Sequence, residues 1–378
     1  MAEFSKLSCK KGALNESLAG LFKDMLEKGV VDAVLVPSHQ PVKGIMQTLI
    51  ADPAKLDSAD PFAPVVPVNS AKLVSSLTNV PSGRPVAVVM RSCEVRAFLE
   101  LIKLKQASVE DLVLIGIDCL GRYENTDYLK LEQDGVTTQS FLEAVLSGKG
   151  TEISKGIDVA PACKICEYPE PDNVDIKLCV IGSGPDEVYV EWVSEKGKYV
   201  LDKLGIEAGD GHSGRDEALK QIMSERISER DKVFTELYEQ VNTLEKLQEH
   251  LAGCINCYNC RVACPVCYCK ECVFVTDTFR HPGDQYMSWG DNRGAVKMPA
   301  ETLLYHMTRM THMSTLCVGC GQCTSACPND IPLAELFRSI ANRTQARFDY
   351  HPGRSLDEPQ PLAVFYDDEL VDVTGQVK

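Results

Sequence analysis

The sequence predicts an α/β domain followed by a mainly α-helical, cysteine-rich domain. Three observations carry this prediction. Strand-like, helix-like and strand-like stretches succeed one another over 86–117 at the spacing of a βαβ unit, so these strands are expected to run parallel. A charged, helix-periodic stretch over 216–251 then separates this region from the rest. Beyond it one cysteine spacing occurs twice, at 254–265 and 317–328, with a helical stretch over 300–313 between the copies. The expected boundaries are 1–215 for the α/β domain, 216–253 for a connecting helix, 254–349 for the helical domain and 350–378 for an extended tail.

Composition narrows the function. A chain of 378 residues with 44% hydrophobic content holds two or three ordinary packed domains. The net charge of −15 argues against a nucleic-acid partner, which requires a basic face. No run of 18 apolar residues occurs, so no helical membrane span is expected. The N-terminus carries no apolar signal segment. With 17 cysteines in so long a chain, a reducing cytoplasm with thiolates reserved for metal is expected rather than a disulfide framework.

In chain order, residues 13–29 read as a helix with Leu14, Leu18, Leu21, Phe22 and Met25 on one side. Residues 30–36 read as a buried strand stopped by Pro37, and 51–70, rich in Asp and Pro, as a surface loop. Strands are expected over 86–90 and 111–117, with a helix over 94–105 between them. Two more strands, 176–182 and 188–193, flank Gly182-Ser183-Gly184, a turn that either offers bare N–H groups to a phosphate or flavin edge or simply closes a hairpin. The 216–251 helix carries Phe234, Leu237, Val241, Leu244 and Leu251 as a stripe, with Gly253 as its expected cap.

The cysteines carry the chemistry. Cys254, Cys257, Cys260 and Cys264-Pro265, and again Cys317, Cys320, Cys323 and Cys327-Pro328, follow C-x2-C-x2-C-x3-C-P, the run that holds 4Fe–4S clusters. In that pattern the fourth cysteine serves the other cluster. One cluster is therefore expected on Cys254, Cys257, Cys260 and Cys327, the other on Cys317, Cys320, Cys323 and Cys264. A pair of zinc ribbons is the competing reading; two complete copies, each ending in Cys-Pro, argue against it. Cys93 and Cys119 follow the two strands of the βαβ unit, at the sheet edge where ligands collect. Each alone reads as a small buried hydrophobe. With Cys163 and Cys166 they make four, enough for a third cubane. Arg91, Arg96 and Arg122 flank the strand-end cysteines and suit either a pyrophosphate or surface ion pairs. Cys267, Cys269 and Cys272 either replace some of these ligands or help to hold a further cluster. Cys9 and Cys179 read as core thiols, and His306 and His312 as surface or packing residues of the 300–313 helix.

Helices between two such motifs, and the ending Cys327-Pro328-Asn-Asp-Ile331-Pro332, resemble the α-helical ferredoxins of succinate dehydrogenase and heterodisulfide reductase. Residues 15–330, through the stretches at 91–97, 116–119, 163–166 and 175–184, resemble the beta subunit family of coenzyme F-420-reducing hydrogenase and formate dehydrogenase. The Cys267–Cys272 segment is most similar to the formate dehydrogenase branch. The resemblance implies a flavin-type α/β domain, FAD beside a 4Fe–4S cluster, and coenzyme F-420 as a possible substrate. It also implies a catalytic dehydrogenase or hydrogenase subunit, or heterodisulfide-reductase-like subunits, as partners. One departure is visible: the family's Gly-Gly turn at the first helix is replaced here by Asn15-Glu-Ser-Leu-Ala-Gly20. That change favours a flavin-free adaptor that only relays electrons, whereas Gly182-Ser183-Gly184 favours the flavoprotein.

Overall fold

The computed structural model describes residues 3–7, 9–209 and 211–363. Among these residues seven strands form one mixed sheet: β1 (Glu3–Leu7), β2 (Ala33–His39), β3 (Ile45–Ile50), β4 (Val86–Arg91), β5 (Leu112–Ile117), β6 (Ile176–Cys179) and β7 (Val188–Trp192). Their order is β1-β7-β6-β5-β4-β2-β3. The four inner strands β6, β5, β4 and β2 pair parallel, as the βαβ spacing requires, and the outer pairs are antiparallel. Every residue of β4 and β5 is buried, the pattern of strands covered on both faces.

On one face lie α1 (Leu14–Glu27), with α4 (Asn125–Gln133), α5 (Thr138–Leu146) and α7 (Glu195–Leu204). Leu18, Phe22, Phe141 and Leu201 pack there against Val34, Val89 and Ile115. On the other lie α2 (Ala71–Thr78) and α3 (Ser92–Lys103). That second core runs on without a break into the helical region, joining Val88 and Met90 to Tyr305, Met313, Val318 and Phe337. The two regions thus share buried apolar surface, which ties the geometry of one to the other.

The helical region comprises α10 (Asn259–Ala263), α11 (Gly283–Arg293), α12 (Thr302–Met313), α13 (Gln322–Ser325) and α14 (Leu333–Arg347). It is reached through α8 (Arg215–Val241) and α9 (Leu244–His250), while a short α6 (Pro161–Lys164) carries Cys163.

Several expectations are corrected. The first long strand begins at Ala33 and runs through Pro37, because its parallel register with β4 ends at Leu35 and Pro37 pairs only with β3. Residues 61–66 of the expected surface loop are buried: Arg91 donates to the Ala63 carbonyl, Tyr123 N–H to Pro64 O and Gln322 to Val66 O. The expected 216–251 helix breaks at 242–243, where the Thr243 hydroxyl caps a new helix start. Gly253 caps nothing; the last turn ends at Leu251. Cys179 is a core thiol, but Cys9 is only half-buried. The described part of the tail lies along α3, where Tyr350 OH, Gly353 N–H and Gln360 Nε2 all donate to the buried Glu100 carboxylate. Residues 364–378 lie outside the described residues.

Candidate metal centres

Three cavities are each ringed by the four cysteines expected from the sequence. The outer one is lined by Cys254, Cys257, Cys260 and Cys327. The middle one is lined by Cys317, Cys320, Cys323 and Cys264, so each Cys-Pro cysteine does cross to the other motif's quartet. The inner one, at the carboxyl edge of β4 and β5, is lined by Cys93, Cys119, Cys163 and Cys166. Cys93 sits in the first turn of α3, whose start is fixed by Glu94 accepting from the N–H groups of Arg91 and Ser70.

The quartets stand in series. Cys320 and Gly319 line both the middle and the inner cavity. Gly321, with φ of +80°, makes this approach possible: a Cβ there would lie 2.6 Å from the Ala162 Cβ of α6. Arg309 joins the outer and middle cavities. Its Nη1 donates to Cys260 Sγ at 3.1 Å, while the side chain lines the middle cavity.

The electrostatics fit an anionic group at each site. His306, fully buried, places Nε2 3.3 Å from Cys254 Sγ. Burial, with Arg309 and Lys297 nearby, drives its pKa down to about 3, so the ring is neutral. It is a packing residue, as expected, but one turned to the sulfur. Tyr305 OH stands 3.3 Å from Cys260 Sγ. Arg91 Nη1 points at Cys119 Sγ at 3.8 Å, and Arg226 donates to the carbonyls of Cys119 and Cys166, both at 3.3 Å. Burial pushes the thiols of Cys163 and Cys320 up to about 11 and about 12. Iron at these positions displaces those protons.

Three features test whether 4Fe–4S clusters suit these residues. Each quartet surrounds a cavity, and among the described residues no three His, Cys, Asp or Glu side chains close on a point that would hold a single ion. That geometry fits a cubane better than the zinc of a ribbon. Buried donors at the sites lack a partner: Asn69 Nδ2 in the inner cavity wall, Arg309 Nε in the middle one and Asn256 Nδ2 beside Cys254. Buried donors of this kind need an acceptor, which cluster sulfides provide. The residues fit.

The residues expected to hold a flavin are not brought together. Arg91 and Arg122 line the inner cavity, and neither Arg96 nor residues 182–184 do. Most of the arginine donors are engaged by protein, and the buried Arg96 Nη2 is without a partner. Arg122 binds Glu124 at 3.0 Å and Ser325 at 2.6 Å; Arg96 binds Pro352 O at 2.9 Å and Val318 O at 3.2 Å, and stacks on Tyr168. Buried as they are, they are not surface ion pairs. Gly182 instead packs against Arg215, where a Cβ would meet backbone at 2.8 Å, and Ser183 Oγ contacts His212 Nε2 at 3.0 Å.

The turn that follows is bonded to the wall of a cleft of about 420 Å³ that sequence reasoning missed. Gln139 Nε2 bonds Pro185 O and Asp186, and Gly12 N–H bonds Asp186. The cleft lies where α1 and α5 begin and is lined by Asn15, His39, Asp60, Glu132, Thr137 and Gln139 among others. Asn15, in the stretch that replaces the Gly-Gly turn, was the one available signal.

Residues 250–331 match the 4Fe-4S dicluster domain family. The chain is 26% identical to the F420-dependent formate dehydrogenase subunit beta of Methanocaldococcus jannaschii, over 89% of this chain and 91% of that protein. It is 25% identical to F420-dependent formate dehydrogenase 1 subunit beta of Methanococcus maripaludis, over 94% of each. A chain of the F420-reducing [NiFe] hydrogenase complex from Methanosarcina barkeri superposes with a TM-score of 0.46 at 15% identity, covering 64% of this chain and 94% of that one, too distant a likeness to carry an argument. Over most of its length, then, the chain is similar to the beta subunits of F420-dependent formate dehydrogenases, with a 4Fe-4S dicluster domain in its C-terminal part.

Proposed function

We propose that this chain is the iron–sulfur electron-transfer subunit of a multi-subunit redox complex, docked to a catalytic formate dehydrogenase or hydrogenase subunit. The single observation that carries this reading is the series of three cysteine quartets joined by Arg309 and Cys320. Clusters bound there supply one-electron transfer. The chain's own residues set their spacing and surroundings: Arg309 balances charge between the outer and middle sites, and Arg91, Arg122 and Arg226 do so around the inner one. Cys257 is the exposed member of the outer quartet, with Ile255 exposed beside it, so that end offers the docking face for a partner's redox centre.

We propose the cleft where α1 and α5 begin as the site for FAD, with coenzyme F-420 as its hydride partner; the relatives' names carry F420. The start of α1, which has no side-chain cap and borders the cleft through Ala13, Asn15 and Glu16, supports it. A second reading is a flavin-free relay, feeding for example heterodisulfide-reductase-like subunits. Two observations favour it: the absent Gly-Gly turn, and the carboxylates of Glu16, Asp60 and Glu132 in a cleft lined by no arginine or lysine. Anoxic purification with iron, sulfide and flavin counted per chain tests both. At least three clusters' iron is expected, about twelve atoms. An iron content near eight or below removes the inner site, and full iron with no flavin after FAD reconstitution selects the relay.

A further inference from the structure

The cleft where α1 and α5 begin, about 420 Å³ in volume, is large enough for a small ligand, and its charged groups are nearly all of one sign. Glu16, Asp60 and Glu132 line it, and among the described residues no arginine or lysine does. His39, the last residue of β2, is the one basic side chain in its wall, and two of the carboxylates already claim it. Its Nε2 lies 3.2 Å from Asp60 Oδ2, and its Nδ1 lies 3.8 Å from Glu132 Oε1. The start of α5 is taken up by its own side chains: Thr137 Oγ1 accepts from Ser140 N–H, and Thr138 Oγ1 donates to Asp60 Oδ2 at 2.6 Å. The start of α1 stays open, but Glu16 stands in its first turn, where a carboxylate offsets the pull of the helix start on an anion.

The unmet hydrogen bonds point the same way. At the inner and middle cluster cavities the buried groups without partners are donors, Asn69 Nδ2 and Arg309 Nε; at this cleft they are acceptors. Asp60 is 1% exposed and its Oδ1 has no partner, and neither has the buried Oδ1 of Asn15 in the same wall. A buried acceptor of this kind is a cost unless a donor meets it. Phosphate oxygens are themselves acceptors and carry charge of the same sign as the walls, so they would deepen that deficit.

We propose that this cleft recognises its ligand by the ligand's hydrogen-bond donors and excludes phosphate, so that it takes the uncharged ring-and-ribityl half of a flavin and leaves a pyrophosphate outside. The ring imide N–H and the ribityl hydroxyls supply donors for Asp60 and Asn15, and the open N–H groups of α1 suit a neutral ring carbonyl. The inference rests on the reading that a flavin occupies this cleft, and it names the half of that molecule the cleft holds.

The test titrates the full chain, reconstituted anoxically with iron and sulfide and freed of flavin, with riboflavin, FMN and FAD, read by quenching of flavin fluorescence. Riboflavin is expected to bind at least about tenfold more tightly than FMN, and neither ADP nor inorganic phosphate to displace it. Asp60→Asn should weaken riboflavin about tenfold, since it removes the charge from the buried acceptor. Glu132→Gln, at a partly exposed side chain, should narrow the gap between riboflavin and FMN. Iron is counted for each variant; if Asp60→Asn fails to fold, Glu132→Gln and the competitors carry the test. Displacement of riboflavin by ADP or phosphate, equal binding of riboflavin and FMN, an unchanged gap in Glu132→Gln, or unaltered riboflavin affinity in folded Asp60→Asn each overturns the inference and leaves the flavin reading standing. If none of the three flavins binds, the flavin reading fails with it.

Discussion

Replacing Arg215 by Met is the sharpest test of how the α/β region supports its cluster site. Arg215, at the start of α8, donates Nη1 to Asp118 Oδ2 at 2.6 Å and Nη2 to Asp118 Oδ1 at 2.8 Å, with a third bond to Glu170 at 3.0 Å. The two side chains are 4% and 0% exposed. Burial opposes the arginine charge, and Asp118 more than offsets this, raising its pKa. The Asp118 carboxylate also accepts the N–H groups of Val180 and Ile181, so it pins the chain after β6 beside the residue that precedes Cys119. Deleting the guanidinium leaves a buried carboxylate without its counter-charge, at a cost of about 3–5 kcal/mol. At roughly 2 °C per kcal/mol for a unit of this size, the apparent Tm should fall by about 6–10 °C. The assay is calorimetry of the anoxically reconstituted chain at one fixed scan rate, since cluster loss makes unfolding irreversible. Adding Asp118→Asn removes the stranded charge while keeping one oxygen to accept both backbone N–H groups, and should recover at least half of the loss. A fall below about 2 °C for Arg215→Met, or a double variant no better than the single, would refute the argument.

Further outcomes follow from the same structure. Cys119→Ser should remove the inner cluster, about four irons, and leave the signals of the outer and middle quartets unchanged; an unaltered iron count makes Cys119 a packing thiol. Gly321→Ala should cost about 1–3 kcal/mol, because the new Cβ meets Ala162 at 2.6 Å in a backbone with φ of +80°. It should also slow electron exchange between the middle and inner sites, read by rapid-freeze spectroscopy. Glu100→Ala strands the buried Lys103 ammonium and frees the segment from Tyr350 to Gln360, so proteolysis within 351–358 should accelerate and stability should drop by about 3 kcal/mol. His39, hydrogen-bonded to Asp60 at 3.2 Å, has its pKa raised above 6.5 chiefly by that bond. Its contribution is therefore complete below about pH 6.5 and lost as pH rises through the folded value. The side chain is half-exposed, so the loss is below about 1 kcal/mol. Tm should decline slightly more for wild type than for His39→Gln between about pH 6 and pH 8. Parallel curves would show that the pair contributes nothing.

The cysteine quartets were legible in the sequence because their ligands come mostly from short, regular spacings whose local geometry is set by the number of intervening residues. The crossing of Cys264 and Cys327 belongs to the same pattern, and the cavities group them as that pattern requires. The parallel core was legible too, since β4 and β5 are unbroken apolar runs at βαβ spacing. Edge strands β1 and β3 and the buried 61–66 segment were not: their partners are distant in sequence, and half-exposed edges carry no clear period. For the arginines, sequence proximity to Cys93 and Cys119 could not distinguish a free phosphate site from side chains already bound to Ala63 O, Ser325 and Pro352 O. The order in which the three quartets stand was decided only by tertiary structure. Cys320 reaches the inner cavity because the helical region and the sheet share one apolar core, and close packing across it sets distances that no local spacing encodes.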